Sequence, residues 1–336
     1  MNRSLNWAVL GTGVIANEMA QALQKMGKSL YAVGNRTHEK AVKFAETYGV
    51  HKVYDCIDDM FTDEQVDIIY ITSPHNTHYA FMKQALEHGK HLLVEKSITL
   101  NSRELDEMIQ LAEQNHLILA EAMTIWHMPL YKKLWDMVCG GEFGKVQMIT
   151  VNFGSFKEYN MENRFFNLNL AGGAMLDIGV YALSVVRSFM DEQPNQIISQ
   201  WKPSPTGSDE QAAILLQNSS GQMATVALSM HSKQPKRAMI SCETGYIEIM
   251  EFPRADRAVF VLLELGQIFC FAYIAHTQYV LQTFLLHVLF WLLGIAGFVI
   301  LTACKRFKQI HTYPLYTYED FCVLNIKSSV EIVSRR

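Results

Sequence analysis

A short apolar strand runs straight into Gly11-Thr12-Gly13-Val14-Ile15-Ala16 and then into a helical pattern, and few folds admit that order. Residues 6–10 (NWAVL) read as the strand and residues 17–26 (NEMAQALQKM) as the helix. The first glycine permits a tight turn, the second lets backbone approach a pyrophosphate, and Ala16 is small enough for close packing of helix on strand. The helix N-terminus adds N–H donors at the same place. The pattern alone is weak, but a second strand at 30–33 follows at the spacing a βαβ unit requires. These features predict an α/β chain that opens with a Rossmann, doubly wound parallel sheet holding a dinucleotide.

The second strand runs into Gly34-Asn35-Arg36-Thr37. An NAD-preferring site places an acid about 20 residues past the glycines, on the ribose 2′-hydroxyl. Arg36 stands there instead, and a guanidinium pairs with an adenosine 2′-phosphate, so Asn35, Arg36 and Thr37 predict NADP, with NAD as the alternative. Strand 66–71 leads into Thr72-Ser73-Pro74-His75-Asn76-Thr77-His78, followed by a helix through His88. Strand 91–94 ends in Glu95-Lys96, and a helix over 102–115 and a strand over 117–123 complete the pattern. Ligands of such sheets sit at the carboxyl ends of strands, which makes Thr72, Ser73, Pro74, Asn76, His78, Glu95 and Lys96 candidates. A loop histidine is more often structural than a base. Lys96, directly after a buried strand, is placed to donate to a substrate hydroxyl or carbonyl.

Composition narrows the partners. Charged residues make up 18% of the chain and the net charge is −4, with no basic surplus for nucleic acid. Six cysteines lie apart, without a Cys-x-x-Cys pair or Cys/His spacing that would hold a metal. Reduced thiols and the absence of a signal peptide predict a cytoplasmic catalytic body.

GTGVIA, NRT, ITSPHNTH and VEKS, in this order and spacing, resemble the Gfo/Idh/MocA family. The resemblance implies NAD(P)-dependent oxidation or reduction of a sugar, inositol or related diol. It also implies a catalytic-site role for Lys96, the lysine of the family's Glu-Lys motif. The proline that usually follows is Ser97 here, so no proline-dependent turn is expected. The family's GG…D-x-G-x-H/Y motif is matched by Gly172-Gly173, Asp177, Gly179 and Tyr181, and tyrosine at the last place resembles the branch of dihydrodiol dehydrogenases and glucose–fructose oxidoreductases. Asp177 and Tyr181, four apart, share a helix face. A phenol loses its proton near pH ~10 in water, so it needs a neighbouring cation such as Lys96 to act near neutrality. Asp177 would orient substrate or lysine. Asn163, Arg164 and Asn167 fit no motif closely enough to be assigned.

Strands over 146–153, 197–201, 212–217, 223–229, 238–242 and 246–250, with a hairpin turn at 218–221, predict an α+β second domain whose sheet is mostly antiparallel. In the family its open face often makes oligomer contacts. The expected division is 1–122 for the dinucleotide domain, 123–258 for the substrate domain and 259–336 for a hydrophobic helical tail. Residues 279–304 carry no charge and Lys305, Arg306 and Lys308 follow. This run reads as a transmembrane anchor, a buried helical hairpin or the product of a reading-frame shift. The anchor and the frame shift would each leave the second sheet without its usual last elements and put dimerisation in doubt. A disrupted tail would favour a catalytically inactive binding protein, and the anchor alone a membrane scaffold.

Overall fold

Strand β1 (Trp7–Leu10) owes its place to alanine, valine and leucine that are at most 1% exposed, with helices on both sides. The computed structural model describes residues 5–263 and the strand Phe269–Ile274. Around β1 lie β2 (Ala32–Gly34), β3 (Lys52–Val53), β4 (Ile68–Ile71), β5 (His91–Val94) and β6 (Leu119–Glu121). All pair in parallel, in the order β3-β2-β1-β4-β5-β6. Parallel strands covered on both faces read as unbroken apolar runs, and β4 (IIYI) is buried at all four positions. Helices α1 (Val14–Lys25), α2 (His38–Tyr48), α3 (Ile57–Thr62), α4 (His75–Glu87) and α5 (Ser102–Gln114) provide the cover.

The order reverses between β1 and β4, and register brings their ends level. Leu10 pairs with Ile71 and Ile71 with Val94. Gly11, Thr72 and Glu95 therefore leave the sheet along one edge, at the switch point where such sheets bind ligands.

The second layer system starts with α6 (Pro129–Cys139) and includes α7 (Val180–Phe189). Its sheet comprises β7 (Val146–Gly154), β8 (Gln196–Pro203), β9 (Asp209–Gln217), β10 (Met223–Ser229), β11 (Arg237–Cys242), β12 (Gly245–Met250), β13 (Arg257–Leu262) and β14 (Phe269–Ile274). The order is β14-β13-β12-β11-β7-β10-β9-β8, antiparallel except between β7 and β10. Ile149, Val151, Val226, Ile240, Ile247 and Ile249 turn inward and join one core with Leu134, Val185 and Phe189 of the helices. Alternation of these residues with half-exposed ones is what a sheet covered on one face requires. Edge strand β8 is exposed at every position.

Where the sequence reading ends this sheet near residue 258, pairing runs on. β13 lies antiparallel to β12, with Gly245 opposite Leu262, and β14 follows β13. The β-branched and aromatic run 259–262 forms a strand, so the pairing extends past the boundary expected at 258. The 279–304 run lies outside the described residues. Among the described residues, one helical stretch, Leu168–Phe189, is long and apolar enough to cross a membrane, and half of that window is buried inside the protein.

Candidate active site

Two glycines of the first turn are glycines for different reasons. Gly11 has φ +113°, and a Cβ there would stand 2.5 Å from Thr72 Oγ1. That hydroxyl donates to the Leu10 carbonyl at 3.1 Å, and the Gly11 N–H donates to Gly34 O at 2.8 Å, so the turn is locked to β2 and β4. Gly13 has an ordinary φ of −75°, is exposed, and a Cβ would meet nothing within 4 Å. The chain itself places no demand for glycine at 13. The room it leaves fits a group approaching from solvent.

The start of α1 is prepared for an anion. Its first turn carries no acid and no side chain caps it. Asn17 Nδ2 donates to the carbonyls of Thr12 (3.1 Å) and Gly13 (2.7 Å), while Asn17 Oδ1 accepts from Tyr48 Oη at 2.8 Å. Ala16 is fully buried, Ile15 half-buried and Val14 74% exposed. After β2, Asn35 Nδ2 donates to Thr37 O at 2.9 Å, tightening a loop on which Arg36 and Thr37 are exposed.

At the ends of β4 and β5, His78 is fully buried, its ring nitrogens 2.9 Å from Ser97 O and 2.8 Å from Ser73 O. It fastens one loop to the other, at the strand ends where the cofactor is expected. Thr77 Oγ1 donates to Ser73 Oγ (2.7 Å), Pro74 precedes α4, and Asn76 Nδ2 reaches Asn169 O of the second domain at 3.1 Å. Glu95 accepts from Tyr70 Oη, and burial pushes its carboxyl above the usual range.

Lys96 is the bridge between domains. Its Nζ donates to Asp177 O at 2.7 Å and Asp177 Oδ1 at 3.1 Å, and lies 5.1 Å from the centre of the Tyr181 ring. Ser97 Oγ donates to Leu176 O at 2.9 Å, and the Lys96–Ser97 peptide is cis. Arg164 Nη1 stands 3.7 Å from Asp177 Oδ1. Burial pushes the Asp177 carboxyl up, but the Lys96 ammonium and the Arg164 guanidinium outweigh it and hold it below the usual range. Tyr181 packs on Phe153 at 6.3 Å between ring centres. The three residues expected to form the catalytic cluster are thus adjacent. Asn163 Oδ1 and Asn167 Oδ1 accept backbone N–H groups two residues on.

The Gly-Gly pair follows from how this cluster is built. Residues Met175–Gly179 form a π-helical turn that continues into α7. Its first N–H, on Met175, donates to Asp209 Oδ2 of β9 at 2.6 Å. Gly173, at φ +135°, passes so close that a Cβ would sit 1.9 Å from Asp209 Oδ1. At Gly172 a Cβ would meet Arg164 O at 2.7 Å.

His75 belongs to this neighbourhood and the sequence reading passed over it, although two histidines three apart at a helix start were visible. It is 9% exposed, and burial, then the Lys96 ammonium and His78, push its pKa down to about 4. The unfolded chain binds that proton near pH ~6.5, so the group costs nothing above that pH and removes stability as pH falls towards 4. His75→Gln is expected to flatten the stability–pH curve in this window by one proton, about 1.4 kcal/mol per pH unit. Urea melts at several pH values measure it, and an unchanged slope removes the assignment.

Known proteins match this description. The family model for the Gfo/Idh/MocA oxidoreductase family, NAD-binding Rossmann fold, matches residues 5–123, and that for the GFO/IDH/MocA C-terminal domain matches 131–248. A trans-1,2-dihydrobenzene-1,2-diol dehydrogenase of Xenopus laevis is 29% identical over 259 residues, 76% of this chain and 78% of that one. Its counterpart in Mus musculus is 27% identical over 252 residues, 74% and 75% of the two chains. A 3-ketoreductase from Actinomadura kijaniata, solved with NADP and TDP-benzene, shares the fold with a TM-score of 0.74 at 22% identity, over 85% of this chain and 90% of that one. An aldose-aldose oxidoreductase from Caulobacter crescentus does so at 0.73 and 24%, over 82% and 85%.

Proposed function

The chain belongs to the Gfo/Idh/MocA family of oxidoreductases with an NAD-binding Rossmann domain, and on that premise we propose that it moves a hydride between NADP(H) and a secondary alcohol carbon of a diol, inositol or sugar. The observation that carries the reading is the Lys96 ammonium, held by Asp177 over the Tyr181 ring at the carboxyl edge of β5. The substrate class leans on the diol dehydrogenases among the curated relatives.

When bound, the nicotinamide supplies the hydride chemistry. The open space at Gly13 and the uncapped start of α1 suit the pyrophosphate, held by the backbone of Gly11, Thr12, Gly13, Val14, Ile15 and Ala16. Arg36, with Asn35 and Thr37, would take the adenosine 2′-phosphate, and Thr72, Ser73, Pro74, Asn76, His78 and Glu95 would hold the nicotinamide half. Two of the three Lys96 ammonium protons go to Asp177, and the third polarises the substrate oxygen. In alcohol oxidation the hydroxyl proton passes to the Tyr181 oxygen, and carbonyl reduction returns it. The ammonium over the ring makes the negative phenolate less costly, and Asp177 fixes where that ammonium stands.

Titration by nicotinamide fluorescence tests the cofactor assignment. Wild type is expected to bind NADPH more tightly than NADH, and Arg36→Ala to weaken NADPH alone by about tenfold or more, the usual scale of a charge-assisted phosphate contact. Equal affinities in wild type overturn the NADP assignment. Gly13→Ala makes the complementary case: its melting temperature stays within about 1 °C, because the added methyl meets nothing, while both dinucleotides bind at least tenfold more weakly. Undiminished binding by Gly13→Ala would remove the turn from the site.

A further inference from the structure

Arg254 is an exposed residue in a buried stretch. Phe252 and Ala255 are at most 1% exposed and Pro253 is buried, whereas the Arg254 side chain is 44% exposed. The stretch is anchored from several sides. Tyr131 Oη donates to Pro253 O at 2.8 Å, the Phe252 N–H donates to Lys236 O at 3.3 Å, and Phe252 packs edge-on against Phe153, the ring that supports Tyr181. A second-domain loop so fixed presents its guanidinium to the first domain, where Nη1 and Nη2 meet the two Glu18 carboxylate oxygens at 3.5 and 3.4 Å.

Glu18 is not a neutral address. It lies one helical turn beyond Val14 on the same face of α1. With Thr12, Gly13, Val14, Asn17 and Gln21 it lines the depression into which the glycine turn opens. An acid in the wall of an anion site repels its ligand, and Arg254 is the cation that offsets it.

We propose that Arg254 is a cofactor-binding residue supplied by the second domain, exchanging the Glu18 carboxylate for the pyrophosphate of the bound dinucleotide. This rests on the NAD(P) reading above and adds a residue from the other domain to it. An ion pair as exposed as this one contributes little, so breaking it costs little. A guanidinium matches a phosphate with two parallel hydrogen bonds, a stronger contact than it makes with Glu18. The exchange replaces one link between the domains, Arg254 to Glu18, with a link that runs through the cofactor. Pyrophosphate is the anion indicated, because Glu18 follows the glycine turn on α1, whereas Arg36 lies beyond β2.

Fluorescence titration of the full chain with NADPH and with NADH tests this. Arg254→Gln is expected to raise Kd for both by the same factor, about tenfold, the scale of one charge-assisted contact. Glu18→Gln is expected to bind both at least as tightly as wild type, since it deletes the competing acid and leaves the guanidinium. If Arg254 served only to latch the domains, Glu18→Gln would weaken binding as much as Arg254→Gln does, and that result overturns the proposal. So does unchanged affinity in Arg254→Gln, or a loss confined to NADPH. Wild type that binds neither dinucleotide overturns the enzymatic reading and this inference together; the other failures leave that reading standing.

Discussion

Lys96→Met lowers turnover about 10³-fold in the expected outcome, within the 10²–10⁴ range for loss of a group that assists proton transfer. Methionine keeps the length and removes the charge. What disappears is the polarising contact with the substrate oxygen and the cation beneath the phenol. The same change leaves Asp177, whose side chain is 14% exposed, facing Arg164 alone at 3.7 Å. Breaking a buried pair from one side costs about 3–5 kcal/mol. With Arg164 still in place the lower end is expected. Adding Asp177→Asn removes the stranded charge and recovers most of that stability, but not the rate. Steady-state turnover on a panel of diols and sugars, with urea melts of both variants, separates the two effects. A Lys96→Met enzyme within tenfold of wild type would remove the lysine from the mechanism.

Gly173→Ala is expected to be the most damaging single methyl in the described part of the chain. An alanine at φ +135° is strained by about 1–3 kcal/mol. The methyl would also overlap Asp209 Oδ1, so the carboxylate must move and the Met175 N–H loses its acceptor, a further ~1.5–3 kcal/mol for a bond to a charged group. Together these approach about 4 kcal/mol, a large part of the 5–15 kcal/mol that holds a typical domain together. At about 2–4 °C per kcal/mol, the melting temperature should fall by roughly 10 °C. Activity should fall with it, because Asp177 is two residues beyond the released N–H. A Gly173→Ala protein that melts with wild type would refute the account of the Gly-Gly pair.

The strand-turn-helix at residues 7–25 was legible because each residue there reports a local need: apolar strand, tight turn, small packing residue. Lys96 could be named because the alternation of strands and helices fixes which loops share an edge, and Tyr181 because it stands at the last place of the GG…D-x-G-x-H/Y motif that the family resemblance supplies. Asp209 could not, since it acts on Met175 from 34 positions away, across a fold that sequence spacing does not reveal. Strand β3 has two residues and α3 six, too few for periodicity to show. His75 and His78 look alike in sequence, and only burial and the two carbonyls beside His78 tell them apart. The apolar run after residue 258 was read as foreign, although its opening belongs to a strand whose partner is Gly245–Glu248.

The π-helical turn Met175–Gly179 gives this helix a spare residue. Val180 donates to Met175 O, five positions back instead of four, and the Asp177 carbonyl accepts from Lys96. A chain one residue shorter here would wind an unbroken α-helix with the same apolar face and the same caps, yet each residue before the deletion would be rotated by about 100° against α7. Composition would barely change, while Asp177 and Tyr181 would no longer meet the same ammonium. In this segment a length polymorphism of one codon is therefore the sharper variable: relatives could differ at many side chains and keep the site, or differ by one gap and keep only the fold.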